Sequence, residues 1–412
     1  MRWMPALTIL DDVRSLVEHK GFTKLASARF ISNVGNGITP VAMSFGVLGL
    51  PNGSATQLSL VLGSQMIPLL LFMLFGGVVG DRYKRNKIVG GSDILGSAFV
   101  MISATSFIFG FVSIPLLCLM GALFGVLNAL WWPAFSGVLP EILPKEKLQR
   151  GNSVIGLLSN FGYTGGALIG GVLVAIAGSG WALAVDALSF FIAGILVWSI
   201  DLPRIIRDES GNMFHQLREG WREFSSRKWV VSVVIAFTFI NLAYESTLGV
   251  LGPLATKESG YGPREWSLIL ATSTIGMILT GFWLLRFNLR KPLIYGITPM
   301  LFMSAWIFSI TFATEIWIPI VISFFAGVAI EIFYVAWSTS MQHNIPEESY
   351  SRVISYDALG SYALAPLGLI FIGPLAEVIG TRNALYILSA LVLVATLSAL
   401  SVREVRMVRN KT

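Results

Sequence analysis

Long stretches of this sequence carry no charged side chain, and several stop at short turns rich in Lys and Arg. Residues 57–80 are uncharged throughout, and the stretch "DRYKRNK" (81–87) that follows holds five charges, four of them basic. A helix needs about 20 mostly apolar residues to cross the hydrocarbon core of a bilayer. Twelve segments meet that need: 24–50, 57–80, 88–110, 114–138, 152–177, 182–200, 229–251, 265–285, 292–312, 317–339, 353–378 and 383–402. Links such as "PNGSAT" (51–56) and "GSGW" (178–181) are so short that the segments they join must run antiparallel. A chain divided in this way is expected to be an all-α, twelve-helix membrane protein. In lipid every backbone polar group must be satisfied within the protein, which a helix does alone.

Composition points the same way. Of 412 residues, 54% are hydrophobic and only 13% charged, against about 25% charged in soluble domains; mean hydropathy is +0.72. The net charge of +6 does not point to nucleic acid, because the cations sit in turns between apolar runs rather than along one face. A single cysteine, Cys118, leaves no intramolecular disulfide and argues against a thiolate metal site. His19, His215 and His343 lack metal-ligand spacing. No Gly-rich nucleotide loop is present. Neither metal, cofactor nor enzymatic chemistry is therefore expected. The first 22 residues mix Asp11, Asp12, Arg14, Glu18 and Lys20 with apolar positions, which suits an interfacial amphipathic helix rather than a cleaved signal.

Lys and Arg concentrate on the cytoplasmic side of membrane proteins. With the N-terminus inside, all but three of the 29 Lys and Arg fall inside; the exceptions are Lys257, Arg264 and Arg382. Both termini are then cytoplasmic, and the multi-pass chain belongs in the plasma or inner membrane.

The sequence also repeats. At an offset of 202 residues "LPKEKLQRGNS" (143–153) aligns with "IPEESYSRVIS" (345–355), matching Pro144 with Pro346, Glu146 with Glu348 and Arg150 with Arg352. Gly166, Gly171 and Gly178 align with Gly368, Gly373 and Gly380. A weaker echo, at offset 204, relates Gly77, Arg82 and Lys87 to Gly281, Arg286 and Lys291. Two parallel six-helix repeats are a plan used by secondary transporters. The expected division is a bundle over 1–200, a cytoplasmic linker over 201–228, and a second bundle over 229–412. In the linker Phe214, Leu217, Trp221 and Phe224 share one helical face, as an interfacial tether would.

The turn "GVVGDRYKRNK" (77–87) resembles the loop signature of the major facilitator superfamily, Gly-x-x-x-Asp-Arg-x-Gly-Arg-Arg/Lys. Gly77, Asp81, Arg82 and Arg85 match, and Lys84 stands where a second Gly is usual. The resemblance implies a cytoplasmic gate. An Asp81 carboxylate facing the start of the eleventh segment would gain about 0.3–1 kcal/mol from the helix N-terminus, with Asp93, Arg352 and Asp357 sharing the latch. "GYTGGALIGG" (162–171) is similar to an antiporter signature in which Gly162, Gly166, Gly170 and Gly171 match and Ala167 replaces Pro. Small residues at four-residue spacing let helices approach closely. Over most of its length, through "ARFISNVGNGITPVAMSFGVLGL" (28–50), "ALAVDALSFF" (182–191) and "IPEESYSRVISYDALGSYALAPLGL" (345–369), the chain resembles the macrolide-efflux and enterobactin-exporter branch, and its actinobacterial drug exporters most. That implies export of a small amphiphile in exchange for protons. An Arg common in the fourth span of proton antiporters is absent, with Phe124 in the corresponding stretch.

Ionisable groups within a span are costly and mark functional positions by default. Here they are Arg29, Asp93, Asp186, Glu245, Glu331 and Asp357. The resemblance places the first, fourth, seventh and tenth segments around a central cavity, so Glu245 and Glu331 are the candidates for proton coupling. Asn33, Asn36, Asn128, Trp131, Trp132, Asn241, Tyr244 and Tyr334 are the candidates for substrate contact, since aromatic walls with few polar anchors suit flat, greasy ligands. No partner is assigned to Asp186. The expected protein is a monomeric exporter with a small-molecule substrate, protons and the lipid bilayer as its partners. An uptake symporter, a siderophore or lipid carrier, and a transport-dead membrane sensor or scaffold remain alternatives.

Overall fold

The computed structural model describes residues 15–19, 21–144, 147–202, 213–284, 291–345 and 347–409, with the backbone alone at 74–82, 149, 213–217, 219 and 347–352. Among the described residues every regular element is helical. Eleven helical segments among the described residues are long and apolar enough to cross a membrane, from Ala55–Met73 to Thr381–Ser401. Each overlaps a segment expected from the sequence. The remaining expected segment, 24–50, is a helix of 27 residues, Phe22–Leu48, but does not reach that hydropathy. Arg29, Ser32, Asn33, Asn36, Thr39 and Ser44 interrupt its apolar run.

The chain forms two compact units, residues 1–46 with 64–208, and residues 47–63 with 209–412. The first unit contains helices α1 (Phe22–Leu48), α2 (Ala55–Arg82), α3 (Arg85–Ile108), α4 (Ile114–Ser136), α5 (Leu148–Ala177) and α6 (Ser179–Trp198), except for the ends of α1 and α2 that fall in 47–63. Helices α3 and α6 meet through small residues: Gly90 lies against the backbone of Gly194 and Trp198, and Gly194 against Gly90 O and Ile94. The first turn of α3 secures the end of α6, whose last carbonyls have no partner within the helix. Asn86 Nδ2 donates to Ile200 O at 2.6 Å and Lys87 Nζ to Trp198 O at 2.9 Å. Lys87 also lies 4.4 Å above the Trp198 ring. These groups of the basic turn thus close a helix C-terminus, where positive charge is favoured. Lys84 sits at φ −59°, ordinary for any L-residue, so a Gly is not required there.

The second unit contains α7 (Lys228–Ser246), α8 (Pro263–Leu284), α9 (Trp317–Asn344), α10 (Glu347–Tyr362), α11 (Ala365–Ile379) and α12 (Thr381–Ser401), with a broken helical stretch over Pro292–Phe312 between α8 and α9. Helices α8 and α9 cross as α3 and α6 do. Gly276 lies against Phe324 O, and Gly327 against Ser273 O. Residues 47–63 belong to this unit through backbone-directed contacts: Ser59 Oγ accepts from Gly373 N at 2.9 Å, Glu377 Oε1 accepts from Thr56 N at 3.0 Å, and Lys257 Nζ donates to Leu48 O. Ahead of α7 a short amphipathic helix, Met213–Ser225, docks Trp221 and Phe224 on Tyr356, with ring centroids 5.6 and 5.9 Å away. The side chains of Phe214 and Leu217 lie outside the described residues.

The 202-residue repeat has a backbone cause at one point. Gly178 and Gly380 take φ of +87° and +88° in the tight links into α6 and α12. An L-side chain is strained in that region, and glycine is not.

Candidate functional site

One cavity of about 350 Å³ lies within the first unit, with walls from all six helices. Five residues expected to touch substrate line it: Asn33 and Asn36 on α1, and Asn128, Trp131 and Trp132 on α4. Trp131 is buried and Trp132 is 56% exposed; their rings meet edge to face at 5.7 Å. Phe124 closes another wall, edge-on to Phe190 at 5.5 Å.

Asp93 and Arg29 share this cavity. The buried Asp93 carboxylate faces the Trp131 indole and interacts electrostatically with Arg29; the indole contact is looser than a well-formed hydrogen bond. Arg29 stacks its guanidinium on an aromatic ledge, 5.0 Å from the Trp131 ring and 4.6 Å from Phe135. Those two rings are themselves stacked at 4.5 Å. The sequence reading noted Arg29 as ionisable but gave it no role. Arg29, Asn33 and Asn36 recur at spacings of four and three, which is one face of a helix. That spacing was the available signal. Gln65 and Tyr163 also line the cavity and went unnoticed.

The second unit repeats the ledge without the cation. At the 202-residue offset Trp131 and Phe135 correspond to Phe333 and Trp337, again stacked, at 6.0 Å. The residue lying on Phe333 is Phe237, at 3.8 Å. Here the carboxylate comes from α10. Asp357 Oδ2 accepts from Trp337 Nε1 at 2.9 Å, and its Oδ1 from Ser361 Oγ at 3.1 Å. Asn241 Nδ2 donates to Ser361 O at 2.9 Å. Tyr362 lies within electrostatic reach of both Asp357 and Glu245. Asn241, Ser361, Asp357 and Trp337 are thus joined in one hydrogen-bonded cluster, with Glu245 within electrostatic reach of the neighbouring Tyr362. A Trp337→Phe substitution keeps a ring and deletes the indole donor. It is expected to cost about 1–2 kcal/mol, the value of one buried hydrogen bond and its orphaned acceptor, read as a lower thermal midpoint of the purified protein.

Glu331 is not part of that cluster. It is half-buried, with Oε1 beside Gly281 of α8, at 3.4 Å from where a Cβ would stand. Among the described residues neither Glu245 nor Glu331 has a hydrogen-bond or ion-pair partner. Tyr334 is 64% exposed, and Tyr244 packs 6.0 Å from Trp306. Asp186 acquires a partner. Completely buried, it accepts a short hydrogen bond from Thr39 Oγ1 of α1, and its other oxygen lies where a Cβ of Gly35 would be.

Of the loop signature, Arg85 Nε stands 3.6 Å from Glu141 Oε1, a pair within the first unit. The side chains of Gly77, Asp81, Arg82 and Arg352 lie outside the described residues. The glycines of α5 form a ladder against α1. Gly162 faces Phe30 O, Gly166 the Val34 carbonyl and Gly170 the Ile38 Cα, while Gly37 of α1 faces Tyr163 O and Ala167 N in return. Gly171 is buried. With Ala167 in place of Pro, α5 runs unbroken for 30 residues.

The profile of the Major Facilitator Superfamily matches residues 25–368. The chain belongs to the Major Facilitator Superfamily. It is similar to macrolide efflux protein A of Streptococcus pyogenes, 23% identical over 93% of this chain and 96% of that protein. It is also similar to the multidrug efflux pump Tap of Mycolicibacterium fortuitum, 26% identical over 88% and 90%. Among solved structures, a mutant of the nucleoside transporter NupG shares the fold, with a TM-score of 0.75 at 12% identity over 92% of this chain and 99% of that one. As a superfamily member the protein is a multi-pass cell-membrane transporter, moving small molecules by secondary active transport through alternating access. The first unit's cavity offers neutral amides, indole rings, one guanidinium and one carboxylate.

Proposed function

We propose that this transporter exports small amphiphilic compounds of the drug or antibiotic type in exchange for protons, with twelve spans arranged as two six-helix bundles, both termini cytoplasmic, and acting as a monomer. The relatives named as efflux proteins support the direction. The observation that carries the coupling is the pair Glu245 and Glu331, two carboxyl groups in apolar helices to which no described residue supplies a counter-charge. Such a group can hold a proton or a cationic substrate but not both, and that competition produces exchange. Asn33, Asn36, Asn128, Trp131 and Trp132 of the first unit, and Asn241, Tyr244 and Tyr334 of the second, are the residues that contact substrate. Gly77, Asp81, Arg82 and Arg85, with Asp93, Arg352 and Asp357, act in gating, and the glycines of α5 hold the first bundle together.

The test is accumulation of fluorescent cationic dyes and amphiphilic antibiotics in pump-deficient cells. Wild type is expected to lower accumulation several-fold, an effect abolished by an uncoupler and by Glu331→Gln. Lowered accumulation that survives both would remove the proton and Glu331 from the mechanism. Raised accumulation in cells making the protein would reverse the direction, as an uptake symporter requires.

A further inference from the structure

The first unit's cavity contains a donor set that the protein itself does not use. A guanidinium offers five N–H donors and no acceptor. Among the described residues Arg29 donates no hydrogen bond and has no carboxylate within 4 Å, and its Nε is buried without a partner. Its guanidinium carbon lies 5.0 Å from the Trp131 ring centroid and 4.6 Å from that of Phe135, and no described residue accepts from its N–H groups. Of the neighbouring amides, Asn33 Nδ2 donates to Arg29 O at 2.7 Å and Asn128 Nδ2 to Phe124 O at 3.0 Å, each with one of its two N–H groups.

Packing does not require the cation. In the second unit the same ledge, Phe333 and Trp337, is covered by Phe237 at 3.8 Å. A phenyl ring does there what Arg29 does here, without the cost of burying a charge. Asp93 offsets part of that cost electrostatically but makes no ion pair or hydrogen bond with the guanidinium. The cavity, at about 350 Å³, is large enough for a small organic group.

We propose that this cavity is a subsite for a carboxylate. The substrate class then includes amphiphiles carrying an anionic carboxyl group, which accepts from the edge of Arg29 while the apolar body lies against Trp131, Trp132 and Phe124. This inference rests on the transport reading above and narrows its substrate. A planar guanidinium matches a carboxylate with two parallel bonds, which a lysine ammonium cannot do.

The experiment measures binding of fluorescein and of its methyl ester to the purified full-length protein by fluorescence anisotropy, with naphthoate and methyl naphthoate as competitors. Charge-assisted hydrogen bonds predict that each acid binds wild type about tenfold or more tightly than its ester. Arg29→Gln is expected to erase that difference while leaving ester binding within about twofold, and Arg29→Lys to retain part of it. Equal binding of acid and ester to wild type, an acid preference that survives Arg29→Gln, or no binding of either acid would overturn the subsite. Accumulation of the same probes in cells separates the two readings. An Arg29-dependent acid preference without any export would refute export and keep the subsite. Export of cationic dyes with no acid preference would do the reverse.

Discussion

Gly166→Ala is expected to lower the thermal midpoint of the purified protein by several degrees and to impair transport, whereas Gly165→Ala, one position away, leaves both unchanged or slightly improved. A Cβ at Gly166 would fall on the Val34 carbonyl, inside any real contact distance, and the atoms it meets are all backbone. No rotamer change relieves such a clash; α1 and α5 must separate. Separation also loosens the contacts at Gly162, Gly170 and Gly37 on the same crossing. Overpacking of this kind costs about 1–3 kcal/mol. At Gly165 an added Cβ meets nothing within 4 Å, and alanine is the better helix former by about 1 kcal/mol. The two substitutions are chemically identical on adjacent residues, so their opposite outcomes isolate the crossing. Equal midpoints would mean that α1 and α5 do not approach as closely as the structure places them.

That crossing shows what the sequence could convey. Gly162, Gly166 and Gly170 announce a close-packing face by spacing alone, but nothing in Phe30, Val34 and Ile38 announces the other side, because the contacts are with their backbone and tolerate any side chain. The long apolar helices were legible because hydropathy accumulates over twenty residues. The helix Phe22–Leu48 is the instructive case: the polar groups that dilute its hydropathy include Arg29, Asn33 and Asn36, the residues that give it a place in the cavity. Helix boundaries at Gly178 and Gly380 could be read from their repetition, since the positive φ there restricts the residue type. Long-range polar partners could not. Asp186 finds Thr39 across 147 residues, and a threonine in a helix gives no sign of what its hydroxyl will reach.

Asp93 carries the second large effect. The structure places it on the wall of the first unit's cavity, with Trp131 and Arg29. Removing one member of a buried charge pair costs about 3–5 kcal/mol, chiefly because the survivor is left uncompensated. Arg29 is half-buried and more than 4 Å from Asp93, so Asp93→Leu is expected below that range, about 1–2 kcal/mol. Arg29→Met leaves a buried carboxylate, 7% exposed, beside an indole alone, and should cost a similar amount. The double substitution removes both charges and keeps apolar volume on the ledge, as Phe237 does in the second unit. It should therefore recover much of the loss, with a coupling energy of about 1–3 kcal/mol in thermal or denaturant unfolding of the purified protein. Additive losses would show that the two groups act independently and that Asp93 does not offset Arg29. Recovery would mean that the fold is satisfied without the pair. The charges would then be retained for what the cavity binds, and the doubly substituted protein should fold yet bind fluorescein no better than its ester.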